Sequence, residues 1–208
     1  MQEFSQVLPI FRQNRPFPAV LPAFLVISAC LVACGKLDTD RGKPQPGGRT
    51  ISRCAENGYF KVEAFGAVTA RIDWDGDSLA CEGMPRPRGQ GARLRFAGDI
   101  GPAAEHHPFA IILSIPELNK GRAANELPTR VTLIEGNDVR FFSTQDSHIC
   151  WSDVSSQSPV QNSNGTADAD NYAISGITYC VAPIPELNGT SSITLSGLEF
   201  SGRLRWAK

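Results

Sequence analysis

Residues 193–206 read ITLSGLEFSGRLRW, and the parity of their apolar positions decides the fold. Leu198, Phe200, Leu204 and Trp206 stand at even positions, with Glu199, Arg203 and Arg205 between them. Alternation of this kind sends apolar side chains to one face of a β-strand and charges to the other. Just upstream, Ile193 and Leu195 have the opposite parity, so Ser196-Gly197 marks a bulge or turn that resets the face. The same period recurs elsewhere. Val68, Ala70, Ile72 and Trp74 alternate with Thr69, Arg71 and Asp73, and Leu94 and Phe96 alternate with Arg93 and Arg95. Residues 109–115, 130–134, 139–143 and 172–181 are further strand candidates, separated by turn residues. No segment of helical length carries an apolar stripe, and the best short helix candidate is 121–127. Eight or so short strands predict an all-β chain, an antiparallel β-sandwich or jelly-roll-like barrel.

The chain has 208 residues and six cysteines, with a formal net charge of −1. A charge near zero argues against a nucleic-acid partner, which needs a basic surface. At 41% hydrophobic the sequence is too apolar for a disordered chain, and it lacks the repeated long apolar runs of a polytopic membrane protein.

Residues 1–33 have the order of an export signal. Arg12 and Arg15 precede an uncharged run from Phe17 to Ala33, which ends in small residues before Cys34. Leu31-Val32-Ala33-Cys34 resembles the lipobox of bacterial lipoproteins. That resemblance implies cleavage before Cys34 and lipidation of its thiol, because the modification needs a thiol preceded by small residues. Ile27-Ser28-Ala29-Cys30 fits the box less well and would leave a second apolar stretch on the mature chain. The competing reading is a single membrane span, since residues 16–35 approach the ~20 residues a span needs. Pro16, Pro18 and Pro22 in its first half favour the signal. Gly35, where the family commonly carries Asp for inner-membrane retention, implies the outer membrane of a bacterial cell envelope. Residues 34–50, rich in Gly, Pro and polar residues, read as a flexible tether, and 51–208 as a single domain. Loss of Glu3, Arg12 and Arg15 with the signal moves the charge only from −1 to −2.

With Cys30 removed and Cys34 lipidated, Cys54, Cys81, Cys150 and Cys180 remain. An even number in an exported chain implies disulfides. Three pairings are possible, and the sequential one, Cys54–Cys81 with Cys150–Cys180, is the simplest. No pair has the C-x-x-C spacing of a zinc site.

Asp73-Trp74-Asp75-Gly76-Asp77-Ser78, with Cys81-Glu82 beyond, is the sharpest local motif. Carboxylates at alternate positions around a Gly can converge on a hard cation, which makes Asp73, Asp75, Asp77 and Glu82 candidate calcium ligands. The stretch resembles the D-x-D-G-D core of calcium loops and the end of the small extracellular excalibur domain, over about ten residues. It departs from an EF-hand at Ser78 and Met84. The alternative is a tight Asp-Gly hairpin turn that needs no metal. Arg86 and Arg88, stiffened by Pro85 and Pro87, are candidate anion ligands. Together with Leu94-Arg95-Phe96-Ala97-Gly98 and Phe141-Phe142-Ser143-Thr144, this stretch resembles uncharacterised proteobacterial lipoproteins with a β-sandwich domain. The likeness spans most of the mature chain and implies that fold without implying a chemistry.

Ile115-Pro116-Glu117-Leu118-Asn119 recurs as Ile184-Pro185-Glu186-Leu187-Asn188. Such an echo arises when one loop solution is used twice, with Pro ending the ladder, Leu plugging the core and Asn tolerating a left-handed backbone. It also arises from two related halves. Residues 152–171 read as a long polar loop held by the Cys150–Cys180 bridge. Adjacent His106 and His107 could hold a transition metal but read as loop residues. Asp146-Ser147-His148 matches a catalytic triad in composition only, and triads are defined by geometry. Trp74 and Trp206 share the core parity, and Trp151 is expected to pack on the Cys150 disulfide. The sequence thus predicts a lipid-anchored envelope protein with a non-enzymatic binding or structural role and no cofactor. Its partners would be the membrane and an envelope protein or glycan. The alternatives are an envelope hydrolase built around His148, or a calcium-stabilised carbohydrate-binding or adhesion module.

Overall fold

The computed structural model describes Cys54 and residues 57–87, 90–102, 106–136, 139–145, 148–161 and 164–206. All belong to one compact unit, Gly48–Lys208. Cys34, Cys30, Arg88 and Asp146 lie outside the described residues. The strands are β1 (Tyr59–Gly66), β2 (Ala70–Asp75), β3 (Ala80–Pro85), β4 (Ala92–Asp99), β5 (Pro108–Ile115) and β6 (Ala124–Pro128). They continue with β7 (Arg130–Glu135), β8 (Arg140–Ser143), β9 (Cys150–Gln161), β10 (Ala167–Cys180), β11 (Ile184–Pro185) and β12 (Ser192–Arg205). One sheet runs β2-β1-β12-β10-β9-β6, with β11 also on β12, and the other runs β3-β4-β5-β7-β8. Every pairing is antiparallel. The chain is therefore the expected β-sandwich.

The parity switch in β12 is a bulge. Lys61 faces Glu199 and Glu63 faces Ser196, so Gly197 and Leu198 share Val62 as their partner. Gly197 takes φ +63, a conformation that L side chains rarely adopt. Ile193 and Leu195 before the bulge, and Leu198, Phe200 and Leu204 after it, all face inward as a result.

The core lies between the sheets. Phe60 on β1, Phe96 on β4 and Phe200 on β12 interlock across it, with ring centroids 4.8 Å and 5.7 Å apart. The sheets come close where β3 crosses β12. A Cβ at Gly83 would overlap the Arg203 carbonyl oxygen and stand 2.7 Å from Leu204 Cα. A disulfide joins Cys54 to Cys81 on β3, and a second joins Cys150 and Cys180, which face each other directly across β9 and β10. Each closes a loop of roughly 30 residues, stabilising the fold by about 3–4 kcal/mol in the chain-entropy account.

Three expectations are corrected. Most of 152–171 belongs to two long paired strands, β9 and β10, rather than to a loop. The inward positions of β9 are filled by Ser152, Val154 and Gln157, so the polar composition hides the alternation. The helix candidate 121–127 contains strand β6, irregular at Glu126 (φ 54). The Asp-Gly turn is a corner and not a hairpin. Residues Gly76–Ser78 form one 3-10 turn that carries the chain from β2 in one sheet to β3 in the other. Ser78 Oγ closes it by accepting the Asp75 N–H at 3.0 Å and donating to the Asp75 carbonyl at 2.7 Å. Trp74 plugs the corner from within and donates Nε1–H to the Asp99 carbonyl at 2.9 Å.

Candidate functional site

The corner explains why the calcium ligands do not assemble. Asp73 and Asp75 lie on the solvent face of β2, where Asp73 is paired with Lys61 at 3.4 Å. Asp77 sits in the turn, and Glu82 points outward from β3 in the opposite sheet, across from Arg95. Among the described residues no group of three His, Cys, Asp or Glu side chains could hold a metal ion. Arg86 is half-buried, and its backbone N–H closes the β3–β4 turn on the Gly91 carbonyl at 3.2 Å.

The histidines do not converge either. His106 Nδ1 meets Asp99 at 3.3 Å, and His107 Nε2 meets Glu135 Oε1 at 3.1 Å. Glu135 is buried at the end of β7, where Arg140 Nε donates to its second oxygen at 2.7 Å. Arg140 also reaches the Ala67 carbonyl at 3.4 Å, which ties the β7–β8 hairpin to the β1–β2 turn. His107 thus hydrogen-bonds the half-buried Glu135–Arg140 ion pair, and Arg140 links the two sheets. His148 is exposed.

The two Ile-Pro-Glu-Leu-Asn copies share neither place nor structure. The first lies where the chain crosses from β5 to β6 in the other sheet, and the second lies on β11, between β10 and β12 of one sheet. In the first, Leu118 is buried, and Gln157 on β9 gathers the loop. Its Oε1 accepts from Gly121 N and Trp206 Nε1 (both 3.3 Å), and its Nε2 donates to the Asn119 carbonyl (2.9 Å) and the Arg122 carbonyl. In the second, Leu187 is 39% exposed, and Glu186 bridges to Phe142 on β8. Neither Asn119 nor Asn188 adopts positive φ, so the left-handed role expected for them is not used.

The outer face of the six-strand path carries the most distinctive chemistry. A cross-strand row runs Asp73, Lys61, Glu199, Ile177, Asp153 over β2, β1, β12, β10 and β9. Five strands at ~4.8 Å spacing make this row about 19 Å long. One row along, Tyr179 stands directly opposite Trp151. Their ring centroids are 6.1 Å apart, with planes inclined 23°. Cys150 faces the core, so Trp151 on the next position lies on the outer side of the strand, where it is half-buried. Tyr179 is 40% exposed and Ile177 45%. Partial desolvation, with the nearby Asp153 and Glu126 carboxylates, pushes the Tyr179 phenol up from its ordinary range. Asp153 Oδ1 accepts the Glu126 N–H at 2.7 Å and is held in place. At the other end of the row an open cleft of about 660 Å³ is lined by Tyr59, Lys61, Asp73, Asp75 and Glu199 among others. The aromatic pair was not singled out from the sequence as a site. Its signal was the even spacing of Ile177, Tyr179 and Val181 against buried Thr178 and half-buried Cys180.

Compared with known proteins, the chain matches no family model, no curated protein and no solved structure.

Proposed function

We propose that this protein is a lipid-anchored component of the bacterial cell envelope that binds rather than catalyses, and that its ligand is a glycan chain. The cross-strand pair of half-buried Trp151 and exposed Tyr179 on the outer side of the sheet carries the reading. Flat aromatic faces match the C–H faces of sugar rings, and amphipathic rings supply contact area beside a polar tip. Fixed carboxylates such as Asp153 accept hydrogen bonds from sugar hydroxyls. The row from Asp73 to Asp153 is long enough for several sugar units, which suits a polymer better than a single ring. The two disulfides support an oxidising compartment, and the lipobox at Cys34 supports attachment to the outer membrane.

Titration calorimetry against soluble chito- and cello-oligosaccharides tests the binding role. Weak saturable binding, abolished by Trp151→Ala, is expected. Absence of heat with every oligosaccharide, or equal binding by the variant, contradicts it. Mass spectrometry of the membrane-extracted protein tests the anchor. A chain beginning at a diacylglycerol-modified Cys34 is expected, and an unmodified Cys34 on an intact N-terminus contradicts it.

A further inference from the structure

The open cleft of about 660 Å³ over β1 and β2 lies on the same outer face as the aromatic pair, and Asn57, Tyr59, Lys61, Asp73, Asp75 and Glu199 line it. Across the sheet Tyr59 stands opposite Asp75, and Lys61 stands opposite Asp73 on one side and Glu199 on the other. Lys61 is held from two sides. Its Nζ lies 3.4 Å from Asp73 Oδ1 and 5.9 Å from the centre of the Tyr59 ring. Asp75 and Glu199 are exposed. The cleft thus sets an ammonium donor among carboxylate acceptors, beside a phenol and an amide. Donors and acceptors side by side match the neighbouring hydroxyls of a sugar ring, since each hydroxyl both donates and accepts. With Lys61 in its midst, the cleft is a mixed hydrogen-bonding surface and not a cation site.

The path from this cleft to the aromatic pair is continuous. Glu199 stands opposite Ile177 on β10, and Ile177 is exposed two residues before Tyr179. Two strand spacings across and two residues along put Lys61 and Tyr179 about 12 Å apart. A single sugar ring cannot touch both places, and a short chain can.

We infer that the cleft is a second sugar subsite, so that one glycan chain lies across β1, β12, β10 and β9 with Lys61 and Asp73 at one end and Trp151 and Tyr179 at the other. The inference rests on the glycan reading and adds to it the length of the ligand and the residues that sense that length. A chain already seated on the aromatic pair meets the cleft intramolecularly, so its affinity rises without any change in either subsite. A disaccharide reaches only one of the two and gains nothing.

The test uses residues 48–208, one compact unit with its own core and both disulfides. Titration calorimetry follows a series of chito-oligosaccharides from the disaccharide to the hexasaccharide. The parent is expected to bind the hexasaccharide at least about tenfold more tightly than the disaccharide. Lys61→Ala/Asp73→Ala removes both partners of a surface ion pair at once, so it strands neither, keeps the net charge and is expected to leave the melting temperature nearly unchanged. This double variant is expected to bind the disaccharide as the parent does and to hold the hexasaccharide no more tightly than the disaccharide. Equal affinity for every length in the parent overturns the inference. So does a length dependence that the double variant keeps. Disaccharide binding that Trp151→Ala abolishes, together with a flat length series, removes the second subsite and leaves the glycan reading standing. No binding at any length removes both, so the two failures are distinguishable.

Discussion

Tyr179 and Trp151 face each other one residue from the Cys150–Cys180 bridge, so a covalent cross-link and an aromatic pair hold the same rung of the β9–β10 hairpin. The bridge holds the register from the core side, and the rings lie on the solvent side. Cross-strand aromatic pairs contribute about 0.2–1 kcal/mol. Trp151→Ala is therefore expected to lower stability by no more than about 1 kcal/mol in urea unfolding while eliminating glycan binding. A larger loss of stability would mean that the pair is chiefly a structural element.

Gln157 is a polar hub set almost wholly inside the protein. Its four hydrogen bonds join β9, the first Ile-Pro-Glu-Leu-Asn loop and Trp206 at the end of the chain. Gln157→Leu preserves size but leaves the Trp206 Nε1–H, the Gly121 N–H and two carbonyls without their partner. Buried groups stranded in this way cost about 1–3 kcal/mol each, reduced where water enters. A loss of about 3 kcal/mol in urea unfolding is expected, with a changed near-ultraviolet signal from Trp206.

Gly83 and Gly197 should separate two reasons for glycine. Gly83→Ala drives a Cβ into the backbone of β12, which cannot move aside, and is expected to cost about 3 kcal/mol. Gly197 has open space around it, and its substitution meets only the left-handed backbone, at about 1 kcal/mol. Thermal unfolding of the two alanine variants checks the order, and a reversed order contradicts the close β3–β12 approach.

Asp168 organises the irregular segment where β10 leaves β9. Its carboxylate accepts from the Asp170 N–H at 2.9 Å, from the Asn171 side chain, and from the Asn171 N–H at 3.3 Å. These bonds, the Asp170 one foremost, hold its pKa below the usual carboxylate range. A carboxyl depressed in the folded state contributes stability above its unfolded pKa and loses it as pH falls through the folded one. The stability gap between the parent and Asp168→Asn is therefore expected to be widest near neutrality and to close in the acid range. A gap independent of pH contradicts the assignment.

Much of the sandwich was legible where alternation used apolar residues. The face reset at Ser196-Gly197 could be read because large side chains flank it on both sides. Strand β9 could not, because its inward positions carry Ser152 and Gln157, which are satisfied by partners far away in sequence. Thr129 and Thr178 bond Ser152 at 2.8 Å, and those partners appear only once the sheet exists. Strand β3 was hidden by Gly83 and Pro85, residues chosen for close approach and for a sheet edge rather than for strand propensity. In β6, Ala124, Glu126 and Leu127 have helical propensity, and pairing with β9 overrides it. The acidic corner drew attention as a metal loop because sequence spacing cannot tell a converging turn from a crossing between sheets. Trp151 was expected to pack on the Cys150 disulfide by adjacency, although period two sends neighbours to opposite faces.

The central claim is that the Trp151–Tyr179 face is a glycan-binding surface, and the molecule carries its own control for testing it. Of its three tryptophans, Trp74 and Trp206 are buried and donate Nε1–H internally, to the Asp99 carbonyl and to Gln157. Trp151 alone lies on the proposed surface. Two-dimensional 1H–15N NMR of residues 48–208, titrated with a chito-oligosaccharide, resolves the three indole signals. The account predicts a saturable shift of the Trp151 indole, with those of Trp74 and Trp206 unmoved. A stationary Trp151 signal, or equal shifts of all three, would contradict it.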